Sequence, residues 1–368
     1  MLFNLELGGA ERQALILAKH LVEHEEAAVE VWGFNKSGPV AGMCEQLDVP
    51  WRLVSFPFKS GRVTRLASTA RIAMSLRRAR PDILLPYTFV PNVICGLVWR
   101  WTGARACVWN QRDEGVKPFV AEWGRSAARR TPMFISNSPT GAEFLRNSLH
   151  VDPLKIRVVE NGVEQSTAIE DRSQWRAKLR IDDDTFMACM VANLHANKDH
   201  ATLLRAWKRV VDRFDKRKAV LVLAGRHDGA YESLASLARE LNLNGQVRFA
   251  GQVMDVPGLL SAADACVFSS FLEGCPNGVL ESMAAGLAVA GTDIDAIRSI
   301  VAPAGLQFLA PPKDDEALAA AILKLANDSD LRVTIGAENQ RRVREKYTAE
   351  RMCESTVAVL REVVSNVP

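Results

Sequence analysis

The sequence predicts an α/β protein of two domains, each a parallel sheet covered by helices, the two facing one another across a cleft. Three observations lead to that class. Short apolar runs of strand length alternate with amphipathic runs of helical length, the order that strand-helix-strand units impose. The alternation occurs twice, once as far as Val159 and again from Phe186, with a polar stretch between. A chain of 368 residues, 48% hydrophobic and 24% charged, is also long enough for two cores of ordinary size.

In order, Met1-Leu-Phe-Asn-Leu5 is short for a first strand, and Gly8-Gly9-Ala-Glu-Arg12 turns into a helix over Gln13 to Glu23. Strand, glycine turn and helix form a phosphate-approach layout, but the Gly-x-Gly-x-x-Gly fingerprint is absent, which weakens a dinucleotide site. Strands are expected at Ala28 to Gly33, Trp51 to Val54, Asp82 to Pro86, Ala106 to Asn110, Met133 to Ser136 and Ile156 to Val159. Residues 166 to 182 are polar without a clear apolar face and suit a linker. The second sheet is expected to start at Phe186 to Ala192, followed by the loop Asn193-Leu-His-Ala-Asn-Lys198 and a helix over Ala201 to Phe214. The strand Ala219 to Ala224 then leads into Gly225-Arg226-His-Asp-Gly229 and a helix over Tyr231 to Leu241. Strands at Val247 to Ala250, Asp264 to Phe268 and Ala288 to Thr292, and two terminal helices, complete a second Rossmann-like half.

The stretch Glu273-Gly-Cys-Pro-Asn-Gly-Val-Leu-Glu281 separates the strand ending at Phe268 from a helix over Val279 to Ala285. Loops at the carboxyl ends of parallel strands are where open α/β sheets bind ligands. Gly274, Pro276 and Gly278 allow a close backbone approach, and the N–H groups of a helix start favour a phosphate oxygen. Two carboxylates bracketing such a site suggest a ligand with both phosphate and hydroxyl groups. Lys198, in a loop just ahead of a helix, is placed to meet a diphosphate.

On these residues the chain resembles retaining GT-B glycosyltransferases, most closely glycosyltransferase family 4 with its Glu-x7-Glu signature. The resemblance covers nearly the whole chain and is strongest from Val191 to Gly286. It implies that Glu273 contacts hydroxyls of the transferred sugar and Glu281 holds the nucleotide ribose. The backbone from Gly274 through Cys275, Pro276, Asn277 and Gly278 to Val279 would contact sugar and phosphates. It implies further that Lys198 binds the diphosphate, and that Gly8 and Gly9 face the cleft where donor and acceptor meet. Gly225 and Arg226 fall in a glycine-rich donor loop. Family members usually carry several more strand residues before the Gly-Gly-Ala-Glu-Arg run, so this chain is expected to begin inside its first strand. Pro81-Asp-Ile-Leu-Leu85, Ser136-Asn-Ser138 and the Asn161-Gly162 turn match family landmarks, the last at the hinge. The implied domains are 1–165 on the acceptor side, 166–345 for the nucleotide sugar, and a helix in 346–368 packing back on the first domain.

The chain departs from the pattern at three places. Asn193 stands where the family commonly has an Arg and cannot supply its charge, leaving His195 or Arg226 to compensate, or a lower phosphate affinity. Trp109-Asn110-Gln111-Arg112-Asp113-Glu114 lacks the family's catalytic-site His, so Arg112 is the candidate to touch the sugar phosphate, with a salt bridge to Asp113 or Glu114 as the alternative. Asp293-Ile-Asp295 replaces a Gly-Gly near the diphosphate.

Other classes are disfavoured. Seven cysteines without a Cys-x-x-Cys or Cys/His cluster argue for a reducing compartment and against structural zinc. Six scattered histidines propose no metal, and Asp182-Asp-Asp184 reads as a solvated turn. Residues 1 to 15 contain Glu6, Glu11 and Gly8-Gly9 where a signal peptide has a basic start and an apolar run. Pro86, Pro91 and Asn92 break Ile83 to Trp99 as a membrane span.

The net charge is only +3, yet Val49 to Pro81 contains Arg52, Lys59, Arg62, Arg65, Arg71, Arg77, Arg78 and Arg80 and no acidic residue. Over Arg62 to Arg80 a helix would place Val63, Leu66, Ala70, Ala73, Met74 and Arg77 near one face. Such a stretch fits an anionic membrane surface or an ordinary solvated face, and Trp123, Arg125, Arg129 and Arg130 form a second basic patch. Nucleic acid is a poorer partner, since the second half is not basic and no recognition motif occurs.

The expectation is therefore metal-independent, retaining transfer of a sugar from a nucleotide-diphosphate donor, a uridine diphosphate sugar, with no cofactor. The acceptor would be a glycan or lipid-linked molecule in cell-surface polysaccharide synthesis, and the protein cytoplasmic, peripheral on the inner face of the cell membrane. A catalytically silent nucleotide-sugar-binding subunit and a nucleotide-sugar epimerase of the same fold are the alternatives.

Overall fold

A computed structural model describes residues 1–58, 60–112, 121–164, 167–214 and 218–365. The chain forms two compact units, Met1–Gly162 with Ala349–Pro368, and Val163–Thr348. These boundaries lie three residues inside the expected 165/166 and three beyond 345/346. Val163 forms a parallel bridge with Thr348, donating its N–H to the Tyr347 carbonyl (2.9 Å), so both crossing segments belong to the second unit.

In the first unit the strands are β1 (Val31–Phe34), β2 (Trp51–Val54), β3 (Ile83–Leu84), β4 (Ala106–Gln111), β5 (Met133–Ser136) and β6 (Ile156–Val158). They form a β1-β2 pair and a β3-β4-β5-β6 sheet, all parallel. The expected strand over Met1–Leu5 is reduced to a single bridge between Leu2 and Gly33. That short segment joins the two sheets. Leu2 donates to the Trp32 carbonyl (2.8 Å) on one side, while Met1 donates to the Leu85 carbonyl (2.9 Å) and accepts from the Tyr87 N–H (2.8 Å) on the other. Counting it as a strand, the order is that of a doubly wound sheet, with the reversal beside β3. Helix Gly9–His24 follows, and Ala349–Ser365 closes the core with Met352, Val359, Leu360 and Val363 packed among Leu5, Leu15 and Leu17.

The stretch Ile83 to Trp99 is a strand end, a turn and the start of helix Phe89–Thr102. Among the described residues no helix is long and apolar enough to cross a membrane.

The second unit contains β7 (Phe186–Val191), β8 (Ala219–Ala224), β9 (Val247–Gly251), β10 (Ala265–Phe268), β11 (Val289–Thr292) and β12 (Leu309–Ala310). The order β12-β11-β10-β7-β8-β9 is doubly wound and reverses between β7 and β10. The apolar runs of β7, β8 and β10 are buried along their length, as parallel strands covered on both faces require.

The expected linker is part of this unit. Residues 167–170 and helix Arg172–Leu179 are bound to it by polar contacts. Asp255 accepts from the Ile169 and Glu170 N–H groups (3.1 Å each) and from Trp175 Nε1 (2.8 Å). Buried Arg176 donates to Asp264 Oδ2 (2.9 Å) and to the carbonyls of Ala262 (3.1 Å), Asp182 (2.8 Å) and Thr185 (3.0 Å). A helix fixed by hydrogen bonds has no need of an apolar stripe, which is why periodicity shows none.

Candidate functional site

In the second unit the chain leaves β7 and β10 in opposite directions, and the loops 192–199 and 269–276 diverge at the reversal point, the usual ligand position of such sheets. They are stitched together. Ser269 Oγ donates to the carbonyls of Lys198 (3.1 Å) and Asp199 (3.0 Å), and Ser270 Oγ and the Phe271 N–H donate to the Asn197 carbonyl (2.9 Å each). This stitching brings Lys198 and Glu273 into direct contact, the ammonium pairing with Glu273 Oε1. Glu273 is 9% exposed and the ammonium lies 5.4 Å from the Phe268 ring centroid.

Asp199 follows in the left-handed region at φ 39°, a conformation most side chains avoid. Its carboxylate caps helix His200–Arg213 by accepting from the Thr202 N–H (3.3 Å), and burial raises its pKa.

Helix Asn277–Ala284 starts two residues earlier than expected, with Pro276 at its N-cap and no side chain capping it. Glu281 lies one turn in and is half-buried; Cys275, Pro276 and Val279 are buried, and Gly274 and Asn277 half-buried. A Cβ at Gly278 would fall 2.1 Å from the Val191 carbonyl oxygen, and one at Gly225 would fall 2.0 Å from that of Ala192. These glycines are demanded by the chain's own backbone at the ends of β7 and β8, in addition to any ligand.

Asn193 accepts the Arg226 N–H at Oδ1 (3.0 Å). The Arg226 guanidinium is bound at two points by Asp228, through Nε (2.6 Å) and Nη2 (2.9 Å). Arg226, one of the residues expected to make up the charge missing at Asn193, is thus already paired with the carboxylate two residues on. His195 is exposed, its Nδ1 accepting the Asn197 N–H (3.3 Å). Asp293 pairs with Arg298 ahead of helix Asp295–Ile300. Asp182, of the acidic triplet, is exposed and pairs with Lys218. Among the described residues no three of His, Cys, Asp and Glu are gathered as a metal-ligand set.

Within the first unit, Gly8 caps helix Gly9–His24 and Gly9 is its first residue. Arg112 is 8% exposed, just past β4. Its Nε donates to Asn110 Oδ1 (2.7 Å) and Nη1 to Asn161 Oδ1 (2.6 Å), with the guanidinium over the Tyr87 ring at 5.1 Å. The alternative partners Asp113 and Glu114 lie outside the described residues. Gln13 and Gly162 bond reciprocally, Gln13 Nε2 to the carbonyl (2.8 Å) and the Gly162 N–H to Oε1 (3.0 Å), which ties the helix behind the Gly8-Gly9 turn to the Asn161-Gly162 turn. Thr88, after β3, has φ 66°, a strained backbone for a β-branched residue.

The sequence did not single out Tyr87, Asn110 and Asn161 as the surroundings of Arg112, nor Gln13 as the partner of Gly162. The signal available was Asn110-Gln111 closing an otherwise apolar strand.

Two family models match the chain: Glycosyltransferase Family 4 over residues 7–166 and Glycosyl transferases group 1 over 171–342. The lipopolysaccharide core biosynthesis glycosyltransferase LpsE of Rhizobium meliloti is 25% identical over 96% of both chains. The UDP-Gal:alpha-D-GlcNAc-diphosphoundecaprenol alpha-1,3-galactosyltransferase of Escherichia coli is 25% identical over 56% of this chain and 54% of its own. Across this and the next three curated relatives the chain spans 37% to 54% of their lengths. Among solved structures, Alr3699/HepE of Anabaena in complex with UDP-glucose superposes with a TM-score of 0.84 over 98% of both chains at 19% identity.

Proposed function

Since the chain belongs to the GT-B glycosyltransferases of the family 4 type, we propose that it transfers a sugar from a uridine diphosphate donor to a glycan or lipid-linked acceptor, with retention of anomeric configuration and without a metal. The observation behind this is the meeting of Lys198 and Glu273 at the reversal point of the second sheet, one group suited to a diphosphate and the other to sugar hydroxyls. Lys198 and the start of helix Asn277–Ala284 oppose the charge that grows on the departing diphosphate; preorganised groups of this kind contribute about 3–4 kcal/mol each. Glu273 orients the sugar and Glu281 holds the ribose. In a front-face transfer the bond from the anomeric carbon to phosphate oxygen breaks as the bond to the acceptor oxygen forms, and the acceptor's proton passes to the leaving diphosphate. The UDP-Gal and UDP-glucose named for the relatives above support uridine as the base.

Helix Arg62–Ala79 supports an anionic membrane surface as the place of work. Its packed side is Thr69, Ile72, Ala73 and Leu76, so of the residues expected on one apolar face only Ala73 is buried. Val63 (81% exposed), Leu66, Ala70 and Met74 face outward beside Arg71, Arg77 and Arg78. An outward apolar stripe flanked by arginines fits a lipid interface better than water alone. Lys59, counted in the basic stretch, lies outside the described residues.

A second function, a silent nucleotide-sugar-binding subunit, is favoured by Asn193, which brings no charge, and by the pairing of Arg226 with Asp228.

The test is calorimetry with UDP, uridine and a panel of UDP-sugars, together with donor turnover in EDTA. Lys198→Ala should weaken UDP by about tenfold or more and leave uridine unchanged, whereas Glu281→Ala should weaken both. Wild-type protein that binds no nucleotide sugar would refute the proposal; binding without turnover on any acceptor would favour the silent subunit.

A further inference from the structure

We propose that Glu273 makes the site discriminate against nucleoside diphosphate that bears no sugar, by competing for Lys198. The inference rests on the donor-site assignment above and concerns how its two charged groups are coupled. They are already each other's partners, and among the described residues Glu273 is paired with no other cation. The pairing is built into the backbone, because Ser269, Ser270 and the Phe271 N–H fix the two loops against each other through the carbonyls of Asn197, Lys198 and Asp199. It is also secluded, with Glu273 9% exposed and the Lys198 ammonium over the Phe268 ring.

A ligand with only a diphosphate draws the ammonium away and leaves a nearly buried carboxylate without its cation, which is costly. A sugar-bearing donor presents hydroxyls to that carboxylate while its phosphates engage Lys198, so neither group is left unsatisfied. The pair thus acts unequally on the substrate and on the nucleotide product that remains after transfer. Loss of the sugar restores the competition and hastens departure of the product.

Removing the carboxylate's charge should therefore tighten the sugar-free ligand. In calorimetry with whichever of UDP, GDP and ADP binds the wild-type protein best, Glu273→Gln should lower the Kd of that diphosphate by roughly three- to tenfold and raise that of the matching sugar donor. In a Lys198→Met background the same change should leave diphosphate binding unaltered. Glu273→Asp, which withdraws the carboxylate by one methylene, should also tighten the diphosphate and serves if the glutamine variant does not fold. Diphosphate binding that is unchanged or weaker in the folded Glu273 variants overturns the inference and leaves the donor-site assignment standing. Wild-type protein that binds neither the three diphosphates nor their sugar donors overturns both.

Discussion

His200 gives the second unit an acid weakness. It follows the strained Asp199, is 2% exposed, and neither ring nitrogen has a hydrogen-bond partner. Burial, reinforced by the charge of Lys198, lowers its pKa to about 4. The unfolded imidazole takes up a proton as pH falls through about 6.5, while the folded one resists until about 4. Stability present at neutral pH is therefore lost across that window, by up to about 3 kcal/mol. Urea midpoints should fall between pH 6.5 and 4, and His200→Leu should flatten that limb; an equal slope in the variant would acquit His200. At this scale the sequence singled out Lys198 and Glu273 because each stands in a loop between a strand end and a helix start, and the structure brings the two side chains together. Asn110 and Asn161 were hidden, since an amide at a strand end or turn serves the backbone as readily as it serves a guanidinium. Their grip on Arg112 joins residues 51 positions apart, and no local pattern encodes it.

Among the elements, helix Arg172–Leu179 has one fully buried cation among its polar ties. Arg176 is fully buried and serves Asp264 and four carbonyls, so Arg176→Ala would leave that carboxylate without one of its two arginines and take a donor from each carbonyl. The loss should be about 3–5 kcal/mol, read from urea unfolding; less than 1 kcal/mol would mean that Arg172 alone suffices. Helix Arg62–Ala79 instead leaves Arg71, Arg77 and Arg78 exposed. Vesicles containing anionic lipid should float the protein at low salt and release it above about 0.1 M, where exposed charges are screened beyond about 10 Å. Replacement of Arg71, Arg77 and Arg78 by Gln should abolish flotation; binding indifferent to lipid charge would end the membrane proposal. The sequence located this helix to within a residue and gathered Val63, Leu66, Ala70 and Met74 on one side, but it did not show which side packs against the unit. Periodicity detects an apolar stripe without saying what lies against it, and here Thr69 and Ser68 turn inward while Val63 and Met74 turn out. The strands were legible for the converse reason: a parallel strand buried on both faces must be apolar throughout, as Ala219–Ala224 is.

For the whole molecule, the doubled strand-helix alternation was enough to reveal two halves, whereas the polar segment after Gly162 concealed where the second begins. The first unit is assembled from both ends of the sequence, with Met352, Val359, Leu360 and Val363 among the side chains gathered around Leu5, Leu15 and Leu17. That arrangement sets an order of events during synthesis. The unit translated first is the last to be completed, because one wall of its core is encoded after Thr348, whereas the second unit has all its residues in hand once Thr348 has emerged from the ribosome. At about 5–20 residues per second, the nascent first unit waits on the order of ten to forty seconds with that wall open. Its apolar interior is offered meanwhile to whatever chaperone attends the ribosome.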